Sequence, residues 1–224
     1  MKRCKNVLLN QLQMLLLHWK VMLICCALLG IYLHYLVQFE RKHAEVFHTM
    51  ELMNIVQNRY FYLFMWVPLA LLHFSTYRMP TTSEIVAWQK RNYGLLAGLL
   101  QGCFIIMMNL IFVWSVVYIL SDPYMNDAYD FSRLLPLSLF IFFGFLTVYL
   151  VWLAIWVATN SRILAFILAF SITVVDLTVC PIFSLHTFTV SLEERWFSFF
   201  LIIGIDGCLL ALCYELFTRK DYVS

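Results

Sequence analysis

Six stretches of this chain carry no charged side chain: residues 21–39, 60–77, 92–121, 134–161, 163–175 and 196–205. Leu, Ile, Phe, Val and Met fill them. An α-helix rises about 1.5 Å per residue, so about 20 apolar residues cross a hydrocarbon core about 30 Å thick. The pattern predicts a polytopic, all-α membrane protein. Of its 224 residues, 63% are hydrophobic and 12% charged, whereas a soluble domain is about half apolar and about a quarter charged. The longest connection between the runs, 40–59, is too short to fold as a soluble domain. The expectation is one membrane domain with no appended catalytic module.

Six transmembrane helices are predicted, over 21–39, 60–77, 94–120, 134–158, 163–182 and 196–216. Pro68 weakens the second, and Asp176 and Pro181 interrupt the fifth, although neighbouring helices can compensate for a proline within a membrane. Lys2, Arg3 and Lys5 precede the first apolar run, as in a signal peptide. That run is long enough to span and leads into Glu40-Arg41-Lys42 with no small-residue cleavage site, so it reads as a retained span. Three parts follow: a surface helix over 1–20, a six-span domain over 21–216 and a tail over 217–224. Within the first, Leu8, Leu12, Leu15, Leu16 and Trp19 recur at helical spacing, with Lys5, Asn6, Asn10, Gln13 and Lys20 elsewhere. That is the pattern of an amphipathic helix lying on the inner surface; the alternative is an extension of the first span.

Orientation follows from the basic residues. One side carries ten Lys and Arg (Lys2, Arg3, Lys5, Lys20, Arg78, Lys90, Arg91, Arg162, Arg219, Lys220); the other carries five (Arg41, Lys42, Arg59, Arg133, Arg195). The richer side is expected to be cytoplasmic. Both termini are then inside, and the location expected is the cell membrane. Tyr60, Tyr62, Tyr93, Tyr118 and Trp196 fall near span ends, as interfacial belts require.

Three features inside this frame invite a functional reading. The inner connection 78–93 reads RMPTTSEIVAWQKRNY. Pro80 ends the preceding helix, Thr82 or Ser83 can cap a new one, and Glu84 sits in its first turn. Ile85, Val86 and Trp88 then form a short apolar face ahead of Lys90-Arg91. This is a short capped helix, either anchored at the interface by Trp88 or docking a soluble partner. Gly94, Gly98 and Gly102 form two overlapping GxxxG units, which permit close helix packing within the chain or between subunits. Asp176 and Asp206 are the acids well inside the spans, and a carboxylate in hydrocarbon costs several kcal/mol unless it faces the interior or a wet cavity. Asp206 falls near the midplane. His34 lies at a depth similar to Asp176, so the two are placed to pair. These three residues are candidates for a translocation pathway; the alternative is a protonated carboxyl bonded to a neighbouring helix. Pro181 opens the segment PIFSLHTFTVSLEER, read as a dipping outer loop or as a longer fifth span with a short loop.

Several chemistries are excluded by pattern. No GxxxxGK[ST] loop occurs, so the chain is not expected to hydrolyse ATP itself, and there is no HExxH. Cys4, Cys25, Cys26, Cys103, Cys180, Cys208 and Cys213 include no CxxC pair and read as packing residues. His43, Glu45, His48 and Glu51 lack the spacing of a zinc helix. Glu193-Glu194 is similar to the paired glutamates of intramembrane CAAX-type proteases, but Arg195 follows at once and the downstream histidines are missing. No metal, cofactor or nucleic acid is expected, and no enzymatic activity of the chain itself.

Taken together the layout resembles the permeases of type-two ATP-binding-cassette exporters: an amphipathic N-terminal helix, a short capped helix between spans two and three, a proline-broken segment between spans five and six, and a basic inner tail. The resemblance lies in topology across the whole chain and rests on few strict motifs. It implies that Ser83, Glu84, Trp88, Lys90 and Arg91 contact a cytoplasmic ATPase subunit. It further implies a second permease copy or paralogue, and an amphipathic or hydrophobic substrate such as a peptide, antibiotic or lipid. Two other classes remain: a proton- or ion-coupled carrier using Asp206, and a non-transporting scaffold or immunity protein that binds a membrane helix through the glycine stripe.

Overall fold

The computed structural model describes residues 19–47, 59–76, 92–121, 131–178 and 192–219, together with Gln13. Every element among the described residues is helical: α1 (Trp19–Phe47), α2 (three consecutive pieces, Arg59–Phe61, Tyr62–Trp66 and Val67–Phe74), α3 (Asn92–Ser121), α4 (Phe131–Thr159), α5 (Arg162–Thr178) and α6 (Leu192–Arg219). Four of them are long and apolar enough to cross a membrane, over Trp19–Phe39, Tyr93–Leu120, Leu137–Thr159 and Phe199–Arg219. The chain is thus built as an all-α integral membrane protein. The apolar part of α2, Tyr62–Phe74, is shorter and reaches about 20 Å, and the 17 residues of α5 reach about 26 Å.

Two helices overrun the apolar runs that predict them. The first was expected to end at 39 and continues to Phe47; the last was expected from 196 and begins at Leu192, taking in Glu193, Glu194 and Arg195. Leaving the apolar layer changes which side chains are favourable, but it does not break backbone hydrogen bonding. The surface helix expected over 1–20 lies outside the described residues apart from Gln13, Trp19 and Lys20. The inner connection 78–91, the segment 181–191 and the tail 220–224 lie outside them too.

Pro68 does not break α2 but reshapes it. Its nitrogen has no hydrogen to offer Phe64, and its ring displaces the carbonyl four residues back. The turn before it widens into a five-residue π-helix, Tyr62–Trp66, and the Val67 N–H bonds to the Tyr62 carbonyl five residues earlier. The wider turn carries Tyr62 and Trp66 inward, where their rings stack with centroids 5.0 Å apart.

Helix α4 is the centre of the bundle: 72% of its apolar window is buried, against 33% for α3, 28% for α1 and 17% for α6. It packs chiefly against α6 and α5, and also against α3. Its aromatic residues make the core. Phe145 meets Trp66 at 5.0 Å, Tyr149 meets Phe74 edge-on at 4.8 Å, and Trp152 meets Trp156 at 5.1 Å. Edge-on and offset ring pairs add about 0.5–1.5 kcal/mol beyond the area they bury.

The turn from α4 to α5 is two residues long and fully explained by local chemistry. Asn160 adopts a left-handed conformation, φ 57°, which Asn tolerates better than most residues, and its N–H bonds to the Trp156 carbonyl at 2.8 Å. Ser161 caps the new helix, its Oγ accepting from the Leu164 N–H at 3.2 Å. The Arg162 guanidinium then lies 5.1 Å from the Trp156 ring centroid, a cation–π contact. Helices α4 and α5 are thereby held as a tight antiparallel pair.

Candidate functional site

The described interior holds seven buried polar residues: His73, Gln101, Asn109, Thr147, Thr173, Asp176 and Asp206. Six of them gather into two places, one around α4 and one between α1, α2 and α3.

The first place joins both intramembrane acids. Asp206 on α6 is 7% exposed and Asp176 on α5 is 4% exposed, so both face inward. Between them stands Thr147 of α4. Its Oγ1 lies 2.6 Å from Asp206 Oδ1 and 3.0 Å from the Phe143 carbonyl oxygen. A hydroxyl has one proton and donates to one acceptor at a time. Both contacts are made together when the Asp206 carboxyl carries a proton and donates to Thr147, which in turn donates to Phe143. Asp206 Oδ2 is buried without a hydrogen-bond partner, an arrangement a neutral carboxyl bears far better than a carboxylate. Thr147 also lines a cavity of about 20 Å3 together with Gly144, Val148, Thr173 and Asp176. That volume suits a single water molecule. Thr173 donates back to the Ala169 carbonyl at 2.8 Å, which leaves its oxygen as an acceptor. A polar seam therefore crosses α4, with a carboxyl group on either flank.

His34 does not join it. That residue is exposed on α1 whereas Asp176 is buried, so their similar depth does not make the expected pair. The glycine stripe has a definite occupant. The Tyr149 hydroxyl donates to the Gly98 carbonyl at 2.6 Å, which brings the ring against α3. A Cβ on Gly102 would sit 2.6 Å from each of two Tyr149 ring carbons and nearer still to a third. Gly94 and Gly98 are buried as well. By contrast, Gly204 and Gly207, which flank Asp206, have nothing within 4 Å of an added Cβ, so none of the described helices packs on them.

The second place is a cavity of about 60 Å3 between α1, α2 and α3, with His73 and Asn109 in its wall. Asn109 Nδ2 donates to the Ile105 carbonyl at 2.8 Å and lies 3.3 Å from His73 Nδ1. Neither residue stands out in a search for charged groups, since both sit inside charge-free runs; their signal is a polar side chain among apolar neighbours. Thr147 and Tyr149 were missed in the same way. Among the described residues no cluster of three or more His, Cys, Asp or Glu could hold a metal ion. Ser83, Glu84, Trp88, Lys90 and Arg91, the residues that the family resemblance assigns to an ATPase contact, lie outside the described residues. No family model matches this sequence, and neither a curated protein nor a solved structure does.

Proposed function

We propose that this chain is a permease: the membrane subunit of an ATP-binding-cassette exporter, moving an amphipathic or hydrophobic substrate while a separate cytoplasmic subunit hydrolyses ATP. The observation that carries the reading is the polar interior of the bundle. A protein that merely anchors or fills a membrane has no use for two buried carboxyls, a histidine and an asparagine, each costly in hydrocarbon. Helices α2 and α5 count here as spans, giving six crossings with both termini in the cytoplasm of the cell membrane. The connection 78–91 then faces the ATPase, and ATP binding there shifts the bundle between inward- and outward-facing states. A second copy or paralogue completes the translocation path.

The test is co-purification. The chain, expressed with candidate ATPase subunits encoded beside it, should retain one of them through affinity purification and stimulate its hydrolysis. Replacing Trp88 and Arg91 by Ala should abolish both. An ATPase that never associates, or an association unmoved by those replacements, removes the exporter reading.

The seam around α4 favours a second reading, a proton-coupled carrier. Thr147 contacts Asp206 and lines the same cavity as Asp176, so a proton could pass between the flanks of α4. This reading requires flux in proteoliposomes without any ATPase, and its loss in Asp206→Asn.

A further inference from the structure

The cavity between α1, α2 and α3 is built around a hydrogen-bonding pair with unused capacity. The Asn109 amide has two hydrogens. One goes to the Ile105 carbonyl and the other points to His73 Nδ1. The contact with Ile105 fixes which end of the amide is nitrogen, because two carbonyl oxygens would repel at 2.8 Å. His73 Nδ1 must then accept, so the ring is neutral and its hydrogen sits on Nε2. This leaves one donor, His73 Nε2–H, and one acceptor, Asn109 Oδ1. Both are buried and neither has a hydrogen-bond partner. The two residues are only 6% and 4% exposed, and an unmet buried group costs about 1–3 kcal/mol.

The rest of the wall says what fits. Met22, Phe104, Met108 and Phe112 are apolar, and no charged side chain lines the cavity. Phe104 is 38% exposed, so the cavity opens beside it on the outer face of the bundle. Its volume of about 60 Å3 is several times the roughly 15 Å3 that one water needs. More than one water would meet mostly apolar wall.

We infer that this cavity binds a neutral amphipathic molecule from the bilayer, whose polar end is a hydroxyl or an amide and whose apolar body lies against Met22, Phe104, Met108 and Phe112. A hydroxyl or an amide both accepts and donates, and so satisfies His73 Nε2–H and Asn109 Oδ1 at once. A carboxylate offers no donor, an ammonium no acceptor, and either charge is unpaired here. That the molecule is the transported substrate rests on the permease reading; that it binds does not.

The experiment uses the purified full chain in phosphatidylcholine nanodiscs without an ATPase. The probe is a photoreactive alkanol carrying an aliphatic diazirine, with octan-1-ol or octane as competitor. Labelled residues are located by mass spectrometry. Label should concentrate on Met22, Phe104 and Met108, at least fivefold over the exposed Ile163 and Ile167 of α5, and octan-1-ol but not octane should displace it. Asn109→Leu, which removes the acceptor, and Cys26→Trp, which fills the cavity from α1 and spares the polar pair, should each lower it at least fivefold. Label spread evenly over exposed helix faces, or displaced equally by octane, would overturn the site. The competition is read on the unaltered protein, so the site stands or falls even where a variant does not fold. Specific labelling in a chain that recruits no ATPase would sink the exporter and keep the site; the reverse would sink the site alone.

Discussion

Replacing Gly102 by Ala adds one carbon at a place already filled by the Tyr149 ring. The new Cβ would stand 2.6 Å from two ring carbons, where ordinary contact begins at 3.4 Å. The ring or the helix must give by about 1 Å, and overpacking of this kind costs about 1–3 kcal/mol. Tyr149 is fully buried between Phe74 and Trp152, so it has little room to retreat. A ring displaced that far also loses its bond to the Gly98 carbonyl, worth about 0.6 kcal/mol in a membrane interior. Alanine returns up to about 1 kcal/mol of helix propensity over glycine. The net expectation is a loss of about 1–3 kcal/mol, roughly a five- to hundredfold shift toward the unfolded form. Unfolding in mixed detergent micelles, followed by tryptophan fluorescence, measures it. Gly204→Ala is the control, since its added Cβ meets open space. Tyr149→Leu opens room, so in that background the cost of Gly102→Ala should fall by more than half. Equal stability of Gly102→Ala and Gly204→Ala, or a cost that persists undiminished in the Tyr149→Leu background, would refute the argument.

Other substitutions probe the remaining devices. Thr147→Val keeps the shape of the side chain and strands Asp206, and should cost about 1–3 kcal/mol in the same unfolding assay. Asn160→Val places a β-branched residue at φ 57° and should destabilise the α4–α5 turn by about 1–3 kcal/mol, whereas Asn160→Gly should be near neutral. Gly204→Leu and Gly207→Leu should leave the isolated chain as stable as before; if either removes activity in cells without changing that stability, a partner helix packs there. Trp156→Leu removes the ring beneath Arg162 and should cost more than Arg162→Gln, because it also empties core volume.

Much of this architecture is legible from the chain alone, and what is not has an identifiable cause. The charge-free runs locate the helices because apolar transfer is additive along a segment. The inward placement of Asp206 follows from the cost of a carboxyl in lipid. Pro68 and the Gly94–Gly102 stripe announce a backbone irregularity and a close approach. None of these cues says what approaches. Tyr149 reaches Gly98 across 51 residues, and Asn109 meets His73 across 36. The uncharged polar residues escape notice because one hydroxyl or amide barely alters the hydropathy of an apolar run.

The contrast between His34 and Asp176 marks the boundary. Position along a membrane helix sets depth, since each residue adds a constant rise, and depth was readable for both. Rotation about the helix axis decides which side chain faces the bundle. That angle is set by how α1 and α5 pack against their neighbours, and packing buried Asp176 while leaving His34 exposed. Local hydrophobicity determined that the chain is a set of membrane helices and where they lie. Only the fitting of helix against helix decided which polar groups meet, because those contacts join residues distant in the chain and no local pattern encodes them.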